Sequence, residues 1–185
     1  SEEPIAFHNE VAFEKLSHIA DAFLTHNREI HVRCDDSVVR MVDIEDGATQ
    51  ITSHPYPIRR SRGYAPTPVL MNSNFRQILA AGPELKNTFC LTKENNAFIS
   101  HHIGDMENYE TLKAYESGIE HYERLFRIQP EIIAYDLHPN YLASIYARER
   151  AKCENIPCIG VQHHHAHIAS CMADNDLPED QQVIG

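Results

Sequence analysis

Ile156-Pro157-Cys158-Ile159-Gly160-Val161-Gln162-His163-His164-His165-Ala166-His167-Ile168 carries a short apolar run directly into four histidines within five positions. The apolar run has the length and composition of a buried strand, and the residues after it read as a helix. In a helix, residues four apart share a face, so His163 and His167 project their rings side by side, about one turn apart. Two neutral imidazole nitrogens so placed can share a transition-metal ion, provided that another ligand comes from elsewhere. The plainer account is a polar helix start, its rings capping backbone groups or standing in water. A zinc-protease helix is the weaker reading, because that mechanism uses a glutamate directly after the first histidine and this chain has His164 there.

Working outward, Ile132-Ile133-Ala134-Tyr135 is another apolar run of the buried-strand kind, with Asp136-Leu137-His138-Pro139-Asn140 at its carboxyl end. A helix from about Tyr141 to Glu154, with Asn140 as its cap, separates the two strands. Before them, Tyr109, Leu112, Tyr115, Ile119, Tyr122, Leu125 and Phe126 step by three or four, which predicts a helix capped by Asp105 and stopped by Pro130. Ala97-Phe98-Ile99-Ser100 reads as a separate strand, and the apolar runs on either side of Gly82-Pro83-Glu84-Leu85-Lys86-Asn87-Thr88 read as a strand-turn-strand unit. Its tip offers an ammonium, an amide and a hydroxyl, a set suited to phosphate oxygens or to an ordinary exposed hairpin. The alternation of strands and helices implies an α/β domain with a partly parallel sheet, whose sites gather beyond the carboxyl ends of strands. Asp136, His138, His163 and His167 all fall on that edge.

Ala65-Pro66-Thr67-Pro68 reads as a linker, since closely spaced prolines break helix and sheet alike. Upstream, apolar residues from Ala12 to Leu24 predict one amphipathic helix from Asn9, its cap, to about Asn27. Glu29 to Arg33 alternates like a strand, and Ser37-Val38-Val39 begins a β-branched run. Ile58-Arg59-Arg60-Ser61-Arg62-Gly63 places three guanidiniums within four residues, which fits bidentate contact with phosphate or carboxylate, or a solvated basic loop.

The 185 residues suffice for one ordinary domain or pieces of two, and a 42% hydrophobic content is enough for a core. With 16 Lys+Arg against 27 Asp+Glu the net charge is −11, which argues against a general nucleic-acid or anionic-membrane surface. Five cysteines, an odd number without a CxxC pair, fit a reducing cytosol. No apolar stretch approaches the roughly twenty residues of a membrane span, and no signal peptide opens the chain. Ser1-Glu2-Glu3-Pro4 at one end and Val183-Ile184-Gly185, read as an unfinished strand, at the other suggest an excised segment.

Two resemblances organise these pieces. Ser37-Val38-Val39 and the arginine loop resemble the closing segment of the YrdC/Sua5-like nucleotide-binding domain, which implies that Ser37 and Arg60 line an adenylate pocket. The motifs Gly82 to Thr88, His102-Ile103-Gly104-Asp105-Met106-Glu107-Asn108, Asp136 to Tyr141 and Val161 to His167 together resemble the NiFe-hydrogenase maturation carbamoyltransferases, the HypF family. The expected architecture is therefore α/β: residues 1–68 as the end of a YrdC-like domain, and 69–185 as the N-terminal half of a Kae1-like domain of the actin/Hsp70 type.

That resemblance implies ATP-dependent carbamoylation. Carbamoyl phosphate becomes carbamoyl adenylate in the YrdC-like domain, and the Kae1-like domain passes the carbamoyl group to the C-terminal cysteine of a partner, HypE, whose thiocarboxamide is dehydrated to supply cyanide ligands. Carried onto this chain, His163 and His167 become ligands of a divalent metal, zinc or iron. Lys86 and Asn87 lie near the adenylate phosphate, and His138 contacts substrate. The acceptor thiol belongs to the partner, so the five cysteines are expected to be packing or surface thiols. In the family a phosphate loop and an acidic ligand lie beyond Gly185, so the segment alone is expected to be inactive. Two other assignments share parts of this pattern: a tRNA-modifying threonylcarbamoyl transferase, against which the acidic balance speaks, and a non-catalytic metal-binding module.

Overall fold

The computed structural model describes residues 5–46, 50–178 and 180–185. The chain begins with α1 (Asn9–Leu16), followed by the hairpin of β1 (Val38–Asp46) and β2 (Gln50–Arg59). The remaining elements are β3 (Val69–Phe75), β4 (Ile78–Ala80), β5 (Cys90–Ile99), α2 (Tyr109–Phe126), β6 (Ile132–Asp136), α3 (Leu142–Glu154), β7 (Cys158–Val161) and α4 (His163–Asp174). Among the described residues no helix is long and apolar enough to cross a membrane.

The second sheet has the order β3-β5-β4-β6-β7. β5 runs antiparallel to both β3 and β4, whereas β4, β6 and β7 are parallel. The β6-α3-β7 crossover, and the longer β4-to-β6 connection that carries β5 and α2, bring the carboxyl ends of β6 and β7 side by side, with Asp136 in register with Val161. The core lies between this sheet and α2 and α3, where Leu79, Phe89, Leu91, Tyr115, Ile119 and Ile133 are wholly buried. α3 presents Ala143, Ala147 and Ala151 at four-residue spacing, all buried, so its backbone can approach the strands closely. α2 and α3 touch through the Tyr115 and Tyr146 rings, 5.3 Å apart, and through a half-buried 2.7 Å ion pair between Arg150 and Glu123.

Several expectations need correction. The helix predicted from Asn9 to Asn27 stops at Leu16. Asn9 does not cap it: its amide clasps His26, donating to the carbonyl at 2.9 Å and accepting from the N–H at 3.4 Å. In a continuous helix those residues would stand about 25 Å apart, so this clasp and the longer helix are incompatible. Residues Glu29 to Arg33 form no strand. Ala97 to Ile99 belong to β5 rather than to a separate strand, since the ladder passes through an irregularity beside Glu94, whose φ is +55. β3 was unexpected, because Asn72-Ser73-Asn74 has the composition of a turn.

The caps also differ. Asn108 caps α2 by accepting from the Thr111 N–H at 2.8 Å, while Asp105 accepts from the Lys86 backbone instead. Asn140 does not cap α3; a carboxylate from another loop does, as described below. Residues 181–185 are irregular, not the start of a strand.

Candidate functional site

Asp136 ends β6, and the following Asx turn is closed by its own carboxylate: Oδ1 accepts from the His138 N–H at 2.9 Å. The other oxygen faces α4, where His163 Nδ1 approaches Oδ2 to 2.6 Å. His163 Nε2 in turn lies 3.1 Å from His167 Nε2. A carboxylate only accepts, so the proton of this contact sits on His163 Nδ1, leaving Nε2 as the atom turned toward its neighbour. The two Nε2 atoms face each other at hydrogen-bond distance. Tetrahedral ligands each about 2.0–2.1 Å from a zinc ion lie about 3.3 Å apart, so the observed convergence fits two positions of a metal site. Among the described residues no three His, Cys, Asp or Glu side chains are grouped so as to hold a metal ion, so those residues supply a pair.

The pair opens on a cleft of about 460 Å³ walled by Ala80, Gly82, Thr88, Ala134 and Ser170. Gly82 has φ +74, and a Cβ there would meet the Thr88 carbonyl at 2.1 Å, so only glycine lets the chain turn at this wall. His164 and His165 do not line this cleft; with Ile168 and Met172 they line a neighbouring groove, which His167 also borders.

The four sequence motifs are tied together by three carboxylates, each reaching from one motif to another or to the residue that follows it. Glu84 accepts from the Leu142 N–H at 2.7 Å and so caps α3 from a distant loop. Asp105 accepts from the Lys86 N–H at 2.6 Å. Asp136 joins the β6 end to the histidine helix. Burial raises the Glu84 carboxyl, an effect opposed by its backbone hydrogen bond from Leu142 and by His138.

The structure places the expected site residues unevenly. Asp136, His163 and His167 line the cleft, whereas Ser37, Arg60, Lys86, Asn87 and His138 do not. His138 stands just outside, exposed, its ring stacked on Tyr141 with centroids 3.9 Å apart. Lys86 is exposed at the loop tip with φ +52, its charge close enough to help depress the His102 imidazole after burial and Arg59. Asn87 is wholly buried; its amide nitrogen donates to the Ala81 carbonyl at 3.2 Å and to that of Pro83, so it shapes the loop rather than projecting from it.

Ser37 and Arg60 are likewise turned inward. Ser37 Oγ donates to the Arg62 carbonyl at 2.8 Å and accepts from the Ser61 N–H at 2.9 Å. Arg60 donates to the carbonyls of Ile99 at 3.1 Å, Tyr64 at 3.0 Å and Thr67. Its guanidinium is committed to these three oxygens and stitches the expected linker to β5. The exposed heads in that run are Arg59 and Arg62, the latter 3.8 Å from Asp36.

All five cysteines are free thiols. Burial pushes Cys90 up to about 12, against a smaller opposing effect of Arg60. Cys34, Cys153 and Cys171 are exposed.

Comparison with known proteins adds the lineage. The model of the HypF Kae1-like domain matches residues 73–174, more than half of the chain. The chain belongs to the HypF family. Carbamoyltransferase HypF2 of Cupriavidus necator is 42% identical over 183 residues, covering 99% of this chain and 22% of that protein. The probable carbamoyltransferase HypF of Methanocaldococcus jannaschii is 36% identical, with 98% and 23% coverage. A full-length HypF crystallised in its phosphate- and nucleotide-bound form superposes with a TM-score of 0.84 at 49% identity, over 97% of this chain and 26% of that one. HypF of T. kodakarensis gives 0.84 at 39% identity, over 96% and 22%. The chain therefore spans about a fifth to a quarter of the length of its HypF relatives.

Proposed function

We propose that this chain is the part of a cytoplasmic, carbamoyl phosphate- and ATP-dependent carbamoyltransferase that carries half of its transfer site. The observation that carries the reading is the convergence of His163 and His167 Nε2, 3.1 Å apart, at the carboxyl edge of β6 and β7. It is supported by relatives named carbamoyltransferase and by a relative crystallised with phosphate and nucleotide. The substrate is carbamoyl adenylate formed upstream from carbamoyl phosphate, and the acceptor is the C-terminal cysteine of a HypE-type maturation protein. The partner thiolate attacks the carbamoyl carbon, the carbon–oxygen bond to the phosphate breaks, and AMP leaves.

His163 and His167 hold a divalent zinc or iron ion, which when bound stabilises negative charge on the carbonyl or phosphate oxygens. His167 must present Nε2 without its proton for this, carrying it on Nδ1 instead. Lys86 supplies a cation to the adenylate phosphate from the loop whose base walls the cleft. Exposed His138 meets the substrate from the β6 turn. Ser37 and Arg60 hold the hairpin end in shape, which leaves Arg59 and Arg62 as the exposed guanidiniums that could reach an anion, Arg62 by turning from Asp36.

In the complete enzyme, the double substitution His163→Ala, His167→Ala should abolish stoichiometric zinc or iron and lower partner carbamoylation roughly 100-fold or more. Metal content by elemental analysis and thiocarboxamide mass on the partner are the readouts. Full activity without either ring would remove the reading.

A further inference from the structure

We propose that Asp136 is the positioning residue of the histidine pair, one carboxylate setting both His163 and the His138 turn. The inference rests on the metal reading above, because it concerns how the chain prepares the two nitrogens for a cation.

Asp136 is built into the rigid part of the site. Its side chain is only 10% exposed, against 50% for His163. Its carbonyl accepts from Ser144 Oγ at 2.7 Å, and the next residue's N–H donates to the Val161 carbonyl at 3.1 Å, so the carboxylate stands on the β6–β7 ladder and the first turn of α3. Each oxygen has a donor of its own: Oδ1 has the His138 N–H and Oδ2 has His163 Nδ1. Holding the proton on Nδ1 leaves the Nε2 lone pair aimed at the point that His167 also faces. An imidazole without this partner is free to rotate, and to carry its proton on Nε2, where it excludes a metal.

The two-sided contact makes asparagine a poor substitute despite its matching size. An amide has one accepting oxygen and one donating nitrogen, so Asp136→Asn satisfies only one of the two donors. With its NH2 toward His163, the imidazole turns acceptor at Nδ1 and protonates Nε2. With its NH2 toward His138, two donors meet and the turn opens. Either orientation disturbs one half of the site.

The test has two arms. In this chain, 15N-labelled at histidine, long-range 15N–1H correlation at about pH 8, where an ordinary imidazole is neutral, should find His163 protonated at Nδ1. The Asp136→Asn chain should lose that pattern. In the complete enzyme, competition of zinc alone against a chromophoric chelator should show the Asp136→Asn dissociation constant raised about 10–100-fold, with the metal-free variant still unfolding in one cooperative transition. Wild-type His163 protonated at Nε2 overturns the proposal whether or not the variant folds, as does equal zinc affinity in the folded variant. Wild-type enzyme that takes up no zinc while His163 keeps its Nδ1 proton overturns the metal reading and upholds the orientation by Asp136.

Discussion

From Leu79 to Ala151 the chain buries Phe89, Tyr115, Ile119 and Ile133 completely, yet among the described residues before Leu79 it buries no apolar side chain. The β1–β2 hairpin is as rich in β-branched and aromatic residues as the sheet, and it leaves Met41 at 56%, Tyr56 at 57% and Ile58 at 66% exposure. The difference lies in the number of neighbours, not in composition. Each hairpin strand has one partner, and a two-stranded ribbon alone is marginal in water. β4 has β5 on one side, β6 on the other, and helices over the face. The edge that carries the histidine pair is accordingly built on the part of the chain that holds the buried core.

The sharpest way to break this comparison is to cut into the core. Phe89 is fully buried with its ring edge-on to Tyr115 and Tyr122, at 5.9 and 5.2 Å. Phe89→Ala should cost about 3–5 kcal/mol by urea unfolding of this chain. A loss below about 1 kcal/mol would mean that the sheet does not carry the stability.

The next effect concerns the seam between the two regions. His101 is buried at the floor of a cleft between residues 5–33 and α2; burial, and then the Arg33 charge, push its imidazole down to about 4. A depressed histidine pKa costs nothing while both states are neutral, above about pH 6.5, and stability falls as acid protonates the unfolded chain first. Between about pH 6.5 and 4 this one ring should remove about 3 kcal/mol. His101→Gln should flatten that part of the pH profile, and an unaltered slope would assign the acid sensitivity elsewhere.

Legibility in the sequence followed the same divide. The strands β6 and β7, the helices α2, α3 and α4, and the facing of His163 and His167 could be read because each depends on local period and local chemistry. What could not be read was set by individual side-chain contacts, many of them distant in sequence, that local period does not encode. Asn9 looked like a cap and became a clasp for His26; Arg60 looked like a phosphate ligand and became a staple for three carbonyls. Asn140 looked like the cap of α3, but Glu84 reaches that N–H across 58 positions. Asp136 was placed on the correct edge without a role, although an acid ending an apolar strand opposite a histidine pair is the signal that could have given one.

Glu84 offers a smaller measurable effect within the region that holds the buried core. Glu84→Ala should cost about 1–2 kcal/mol, the usual range for a lost helix cap, and should speed hydrogen exchange at Leu142 and Ala143 before the rest of α3. Glu84→Gln, which keeps an accepting oxygen, should lose less. Equal exchange in all three proteins would show that the first turn of α3 is held by packing alone.

The smallest effect is expected in the hairpin, where it sharpens the comparison most. Ile58 is 66% exposed, so replacing it by serine removes little buried area, and the change in stability of this chain should stay within about 0.5 kcal/mol. Ile58→Ser together with Phe89→Ala should then cost no more than Phe89→Ala alone plus that amount, since distant sites add. A cost of 2 kcal/mol or more for Ile58→Ser would require that its face be covered in solution. One such cover is a second copy of the chain, which a midpoint that rises with protein concentration would identify. Without concentration dependence, a large cost would instead mean that the hairpin folds back onto the sheet region, and the division between the two halves of the chain would have to be redrawn.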